Sequence, residues 1–267
     1  MTVTATIGVI GGSGLYSLLD GADDIQVDTP YGPPSDVVTV AQVAGRTVAF
    51  LPRHGRDHRH PPHRIPYRAN LWALRSLGVR QILAPCAVGG LRPDLGPGAF
   101  VLPDQLIDRT SGREHSFVES GAVHVNFADP YCPTGRAVVT ATAGKSGLPI
   151  TPTGTMVVID GPRFSTRAES RWYAAGGGTV INMTGAPEAA LARELALCYT
   201  AVALVTDHDA GVDGDHGVTQ DEVFRVFKDN TERMRNLLLA TIVGLPAECD
   251  CPCAASLDGM LPHYLRP

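Results

Sequence analysis

Two acids, Asp207 and Asp209, end the apolar run in "ALVTDHDAG" (203–211). Paired carboxylates at a strand end suit proton transfer or metal binding, and a plain loop turn uses the same residues. In "LPRHGRDHRH" (51–60) Arg53 and His54 also follow an apolar run. Arg offers a planar fork to phosphate oxygens, and His can donate a further hydrogen bond. His54, His58, His60 and His63 crowd this stretch, which raises zinc, but Pro61 and Pro62 keep it out of helix. The strong zinc pattern is a His pair on a helix with a separate third ligand. A phosphate contact and a solvated basic loop therefore remain. In "VIDGPRFSTRAES" (158–170) Phe164 and Ser165 offer an aromatic face and a hydroxyl, and Arg167 with Glu169 reads as a helix-start ion pair. In "INMTGAPEAA" (181–190) Thr184 and the amides near Gly185 form an anion-binding corner where a strand enters a helix.

The opening "IGVIGGSGLYS" (7–17) breaks an apolar run into glycine. A dinucleotide loop needs G-x-G-x-x-G, a helix directly after it and an acid about 20 residues on. Gly12 and Gly14 are spaced correctly, but the third position is Ser17, and "LLDGADDIQVDTP" is no amphipathic helix. A phosphate loop built from the Ser13 hydroxyl and backbone N–H groups is favoured, with a bare tight turn as the plainer reading.

The elements behind these residues alternate. Apolar runs at Thr6–Ile10, Val37–Val40, Thr47–Leu51, Gln81–Pro85, Ala99–Leu102, Met156–Ile159, Thr179–Ile181 and Ala201–Thr206 read as strands. Helical patterns fall at 67–78, closed by Gly78, at 187–198, opened by Pro187, and at 219–244, with Thr219 and Glu222 in capping-box positions. The stretch 104–155 is rich in Gly, Pro and Thr and reads as loops and short strands. The expectation is an α/β single domain, 1–267, with a central mixed, largely parallel sheet flanked by helices.

With 267 residues, 44% hydrophobic, the chain can bury one sizeable core, and its net charge of −5 leaves no basic footprint for nucleic acid. Its apolar runs are too short for a bilayer and no signal-like segment opens it, so a soluble, cytoplasmic protein is expected. Cys86, Cys132 and Cys198 are dispersed in apolar segments and read as reduced, partly buried thiols. Cys249, Cys251 and Cys253 crowd together in "CDCPC", but a zinc site wants four ligands and no second cluster supplies the fourth, so no metal is expected.

Four segments in order, "GVIGGSGL", "RHGRDHRHPPHRIPYRANLWAL", "GTMVVIDGPRFSTRAES" and "VINMTGAPEAALARELALCYTAVALVTDHD", span about 200 residues. Jointly they resemble the trimeric purine nucleoside phosphorylases and, within them, the S-methyl-5'-thioadenosine phosphorylases. The resemblance implies that a nucleoside and phosphate give a free purine and a ribose 1-phosphate. It implies a phosphate site at Ser13, Arg53, His54, Thr184 and the backbone of Ala87. It implies a ribose contact at Met183, a purine wall at Phe164 and Ser165, and base recognition by Asp207 and Asp209. His124, in "AVHVNFADPYC", would reach the neighbouring subunit's 5' pocket, making a trimer part of the site. Phosphate would be a co-substrate, with no metal or organic cofactor.

A 6-aminopurine presents a donor at N6 and an acceptor at N7, which one protonated carboxyl satisfies. A 6-oxopurine is better served by an amide, and the related 6-oxopurine enzymes carry Asn here, so Asp207 favours adenine. Val223 and Phe224 match the family's apolar 5' positions and suit a thioether, whereas Gln220 departs from them and leaves room for a 5'-hydroxyl. Cys86 stands where the family has a phosphate-contacting Thr, and a thiol is the weaker donor. The "CDCPC" segment resembles Cys-x-Cys elements of archaeal members linked to thermal stability. The expected reaction is phosphorolysis of S-methyl-5'-thioadenosine to adenine and 5-methylthioribose 1-phosphate. The rivals are a 6-oxopurine or methylthioinosine phosphorylase, an NAD-binding oxidoreductase, and a non-catalytic nucleotide binder.

Overall fold

The computed structural model describes residues 4–11, 23–212, 214, 217–260 and 262, so Ser13 and its glycine turn lie outside the described residues. One sheet of 11 strands runs through them. Its first part is β1 (Ile7–Gly11), β2 (Asp23–Ile25), β3 (Val38–Val43) and β4 (Arg46–Pro52), followed by helix α1 (Tyr67–Ser76) and the long strand β5 (Gln81–Gly90). Then come β6 (Phe100–Val101), β7 (Gln105–Arg109), helix α2 (Pro133–Ser146), β8 (Ile150–Thr151) and β9 (Thr155–Ile159). Helix α3 (Arg167–Ala175), β10 (Val180–Asn182), helix α4 (Gly185–Glu194), β11 (Cys198–His208) and helix α5 (Gln220–Gly244) complete the order.

The sheet is mixed and largely parallel. β1 lies parallel between β4 and β5, and β11 runs parallel along the whole of β5. β7, β9 and β10 form a second parallel set, joined antiparallel to the last two residues of β5. Alternate side chains of β5 and β11 enter different cores, as a period of two requires. Ile82, Ala84, Ala201 and Ala203 join Leu71 and Leu74 of α1 and Ala189 of α4 on one face. Leu83, Val202 and Leu204 join Val139 of α2 and Phe227, Met234 and Leu238 of α5 on the other. Both faces are thus covered, which is why these strands read as unbroken apolar runs.

Three expectations change. Helix α2 occupies part of the stretch read as loops and short strands. Its buried face is Gly135, Val139 and Ala143, spaced four apart but too small to stand out as an apolar stripe. Gly135 is required there, because a Cβ would stand 2.0 Å from Thr200 Oγ1. The helix expected to reach residue 198 ends at Glu194; Ala196 turns left-handed at φ 52° and Cys198 already opens β11. The strand expected to end at Pro85 continues to Gly90. Pro85 has no N–H, but its carbonyl accepts from Arg53 beyond the end of the β1 ladder at Leu83, so no rung is lost.

Candidate active site

The strand ends converge on a cavity of about 350 Å³. Arg53 and His54 enter it from the end of β4, and Cys86 and Ala87 from β5. Phe164 and Ser165 precede α3, Met183 and Thr184 follow β10, and Asp207 and Asp209 end β11; all six line the same space. Gln220, Val223 and Phe224, from the first turn of α5, complete the wall. An edge where strands terminate leaves backbone and loop groups free to meet a ligand. Among the expected site residues, His124 lines a different cavity, with Tyr131, Arg136 and Arg193.

Arg53 is only 1% exposed, and its fork faces a partner the sequence reading did not name. Nε and Nη2 donate to the two oxygens of buried Glu188 at 2.8 and 2.9 Å. Nη2 also donates to the Ile10 carbonyl and Nη1 to that of Pro85, each at 3.1 Å. Burial alone would lower the guanidinium's pKa, but the charge and hydrogen bonds of Glu188 outweigh it and hold it above its ordinary value. With five N–H groups available and four engaged, one Nη1 hydrogen is left for a ligand. Of the planar fork expected to meet phosphate oxygens, a single N–H thus stays outside these bonds among the described residues. Tyr199 Oη donates to Glu188 Oε1 at 2.7 Å and fixes the carboxylate.

His54 changes role as well. Burial pushes its pKa down to about 3, against the His60 carbonyl contact and with the Arg53 charge adding to the shift. Its Nδ1 lies 2.8 Å from the His60 carbonyl oxygen. A carbonyl only accepts, so Nδ1 carries the proton and neutral Nε2 presents a lone pair. His54 stacks on His58 with ring centroids 4.4 Å apart, and His58 meets the edge of Phe224 at 6.0 Å. The Gly185 amide, expected to face an anion, donates instead to Asn182 Oδ1 at 3.2 Å. Thr184 is the N-cap of α4 but makes no side-chain cap bond, so its hydroxyl is not consumed by the helix. Burial raises the Cys86 thiol to about 11 despite Arg53 and Asn182 nearby, so it stays protonated.

The two acids at the end of β11 are held differently. Burial raises the Asp207 pKa to about 7, opposed by the Thr206 hydrogen bond and reinforced by Asp209 and Glu222. Thr206 Oγ1 lies 2.8 Å from Asp207 Oδ2 and 3.2 Å from the Val88 carbonyl. Its single proton serves the carboxylate when Asp207 is charged and the carbonyl when Asp207 is neutral. Asp209 Oδ2 accepts from Ser170 Oγ at 2.5 Å. In the same cavity, Ser165 Oγ is buried without a hydrogen-bond partner among the described residues, a polar atom open to a ligand. Gly161 turns left-handed at φ 64°, and a Cβ there would stand 2.4 Å from Met183 Sδ. The turn thus keeps Met183 at the cavity wall.

Glu188, Tyr199, Thr206 and Ser170 were missed because each acts through a neighbour distant in sequence or looks like an ordinary core residue. Glu169 does not serve the ion pair expected for it; it bonds Arg163 at 2.7 and 2.8 Å and closes a capping box with Thr166. The cysteine expectation is also corrected. Cys132 and Cys198 are not dispersed from the "CDCPC" segment: their sulfurs and those of Cys249 and Cys251 lie within 4.8 Å of one another.

Comparison with known proteins matches this arrangement. The phosphorylase superfamily model covers residues 6–243. A purine nucleoside phosphorylase of Streptomyces coelicolor is 57% identical, covering 99% of each chain. An S-methyl-5'-thioadenosine phosphorylase of Mycolicibacterium smegmatis is 57% identical over 97% of this chain and 99% of its own. A methylthioadenosine phosphorylase structure from an Antarctic soil metagenomic library superposes with a TM-score of 0.90 at 39% identity, covering 97% of this chain and 93% of its own. These matches set aside the oxidoreductase reading of the opening glycines. Sheet, strand-end cavity and sequence agree that the chain belongs to the phosphorylase superfamily, in its branch of purine nucleoside and methylthioadenosine phosphorylases.

Proposed function

We propose that the protein cleaves S-methyl-5'-thioadenosine with inorganic phosphate, giving adenine and 5-methylthioribose 1-phosphate. The observation that carries this reading is a buried carboxyl group, Asp207, sharing one cavity with Arg53, His54 and Thr184. Breaking the C1'–N9 bond leaves a ribosyl cation and pushes electron density onto the purine. Phosphate, held by Thr184, the remaining Nη1 hydrogen of Arg53 and, by resemblance, Ser13 and the Ala87 backbone, faces that cation and stabilises it. His54 takes part through Nε2, accepting the proton of a phosphate hydroxyl in a hydrogen bond. Asp207, about half protonated at neutral pH, donates to N7 and accepts from N6. Ser165 and Phe164 border the base, and Met183 borders the ribose.

Val223 and Phe224 give the 5' substituent an apolar wall, while Gln220 in the same wall can serve a hydroxyl. Adenosine is therefore a second substrate. His124 lies in another cavity of its own chain and acts through a neighbouring subunit, in a cytoplasmic homotrimer. No metal or organic cofactor enters the reaction. Release of adenine from methylthioadenosine and adenosine, and of hypoxanthine from inosine, with and without phosphate, tests the proposal. Phosphate-dependent release from the two adenine nucleosides is expected. A preference for inosine, or equal release without phosphate, refutes it.

A further inference from the structure

Five sulfurs gather away from the reaction cavity. Cys132 is the N-cap of α2, Cys198 opens β11, and Cys249, Cys251 and Cys253 lie beyond α5. Cys251 Sγ is 3.7 Å from Cys132 Sγ, 3.3 Å from Cys198 Sγ and 3.4 Å from Cys249 Sγ. We propose that Cys132, Cys198, Cys249 and Cys251 bind one tetrahedral zinc ion, a structural clamp fastening the C-terminal segment to α2 and β11.

Zinc–thiolate bonds of about 2.3 Å place the sulfurs of a tetrahedron roughly 3.8 Å apart, close to the spacing seen around Cys251. A disulfide joins sulfurs two by two at about 2.05 Å. Here Cys251 has three neighbours at similar range, and the cysteines are all thiols. An all-sulfur tetrahedral set selects zinc or iron among the common metals, and zinc needs no redox partner. Thiolates are the ligands, and two hydrogen-bond donors face the cluster. The Gly135 N–H donates to Cys132 Sγ at 3.4 Å, at the positive end of a 14-residue helix. The fifth sulfur, Cys253, receives Arg193 Nη2 at 3.4 Å, which places a positive charge beside a doubly negative zinc–thiolate centre. Arg193 also donates to the Asn126 and Asp129 carbonyls, each at 2.6 Å, and so ties the clamp to the segment that carries His124. Binding exchanges four thiol protons for the metal, with no change in oxidation state.

The whole chain, purified in reducing buffer without chelator and dialysed, is analysed for metal by mass spectrometry. About one zinc per chain is expected, released by a mercurial reagent. Cobalt exchanged into the site gives a thiolate charge-transfer band and the visible spectrum of a tetrahedral ion. Cys251→Ser lowers bound zinc at least about tenfold. Cys249→Ser, at the half-buried edge of the cluster, does the same and keeps the test intact if Cys251→Ser does not fold. A zinc-free wild type overturns the proposal, whether its thiols titrate freely or are paired as disulfides. So does zinc retained at full stoichiometry by both variants, or a cobalt form without the thiolate band.

Discussion

Replacing Asp207 with Asn separates the proton from the hydrogen bond. Burial brings the Asp207 pKa from 3.8 to about 7. At pH 7 the neutral fraction is then about half, against less than roughly one in a thousand for an unperturbed carboxyl. Above pH 7 the acid form falls about tenfold per unit, so kcat/KM on an adenine nucleoside falls by about 50-fold from pH 7 to pH 9. An amide can donate to N7 but cannot surrender its proton. Asp207→Asn is expected to lose about 10²- to 10⁴-fold in kcat at pH 7. The same amide suits O6, so the adenine-to-inosine rate ratio falls by a further factor of about ten, from a mispairing of about 1–3 kcal/mol. Phosphate itself titrates near neutrality, so the informative quantity is the difference between the two pH profiles. The assay is the initial rate of base release, adenine or hypoxanthine, at saturating phosphate from pH 5 to 9. Parallel profiles, or an unchanged adenine-to-inosine ratio, refute the assignment of Asp207 as the acid. Stability gives an independent reading. Because the folded pKa is raised, the acid's contribution is full below about pH 3.9 and is lost progressively as pH rises to about 7. The Tm of Asp207→Asn therefore exceeds that of the wild type by a wider margin at pH 9 than at pH 5.

Three other substitutions probe the supports of the site. Glu188→Gln leaves the buried Arg53 uncompensated and costs about 3–5 kcal/mol, and added phosphate raises its Tm more than it raises the wild type's, because the anion replaces the lost charge. Cys86→Thr exchanges a weak donor for a hydroxyl, and the KM for phosphate falls about fivefold, worth roughly 1 kcal/mol. Gly161→Ala sets a methyl 2.4 Å from Met183 Sδ on a left-handed residue; the strain costs about 1–3 kcal/mol, and the KM for the nucleoside rises while that for phosphate holds.

The parts legible in the sequence are those whose signal is local. β1, β4, β5 and β11 are apolar runs because the sheet is covered on both faces, and Arg53, His54, Asp207 and Asp209, just beyond or near the ends of β4 and β11, could be named as site candidates from position alone. Helix α2 was hidden because Gly135, Val139 and Ala143 bury too little side chain to mark a face. Partners far apart in the chain were hidden for a different reason. Arg53 and Glu188 are 135 residues apart and Cys132 and Cys251 are 119 apart, and no spacing rule joins either pair. The electrostatic state was hidden with them. An Arg beside a His looks like a strongly cationic phosphate cradle, but burial leaves the His neutral and Glu188 balances the Arg.

That balance bears on where the binding energy is spent. Before substrates enter, the Arg53 charge is answered by Glu188, His54 is neutral, and Asp207 is close to its midpoint at pH 7. In the proposed reaction phosphate would therefore meet one guanidinium hydrogen and uncharged donors, not a full unopposed cation. A site of strong positive charge would bind phosphate tightly in the ground state and gain nothing for the reaction by doing so. Here the anion's missing counter-charge is the ribosyl cation itself, which exists only as the glycosidic bond breaks. The attraction between them grows in a buried, water-poor cavity at the moment it lowers the barrier. On this reasoning the Arg53–Glu188 pair contributes to catalysis by withholding charge from the resting site, and the protonated fraction of Asp207 does the same on the purine side.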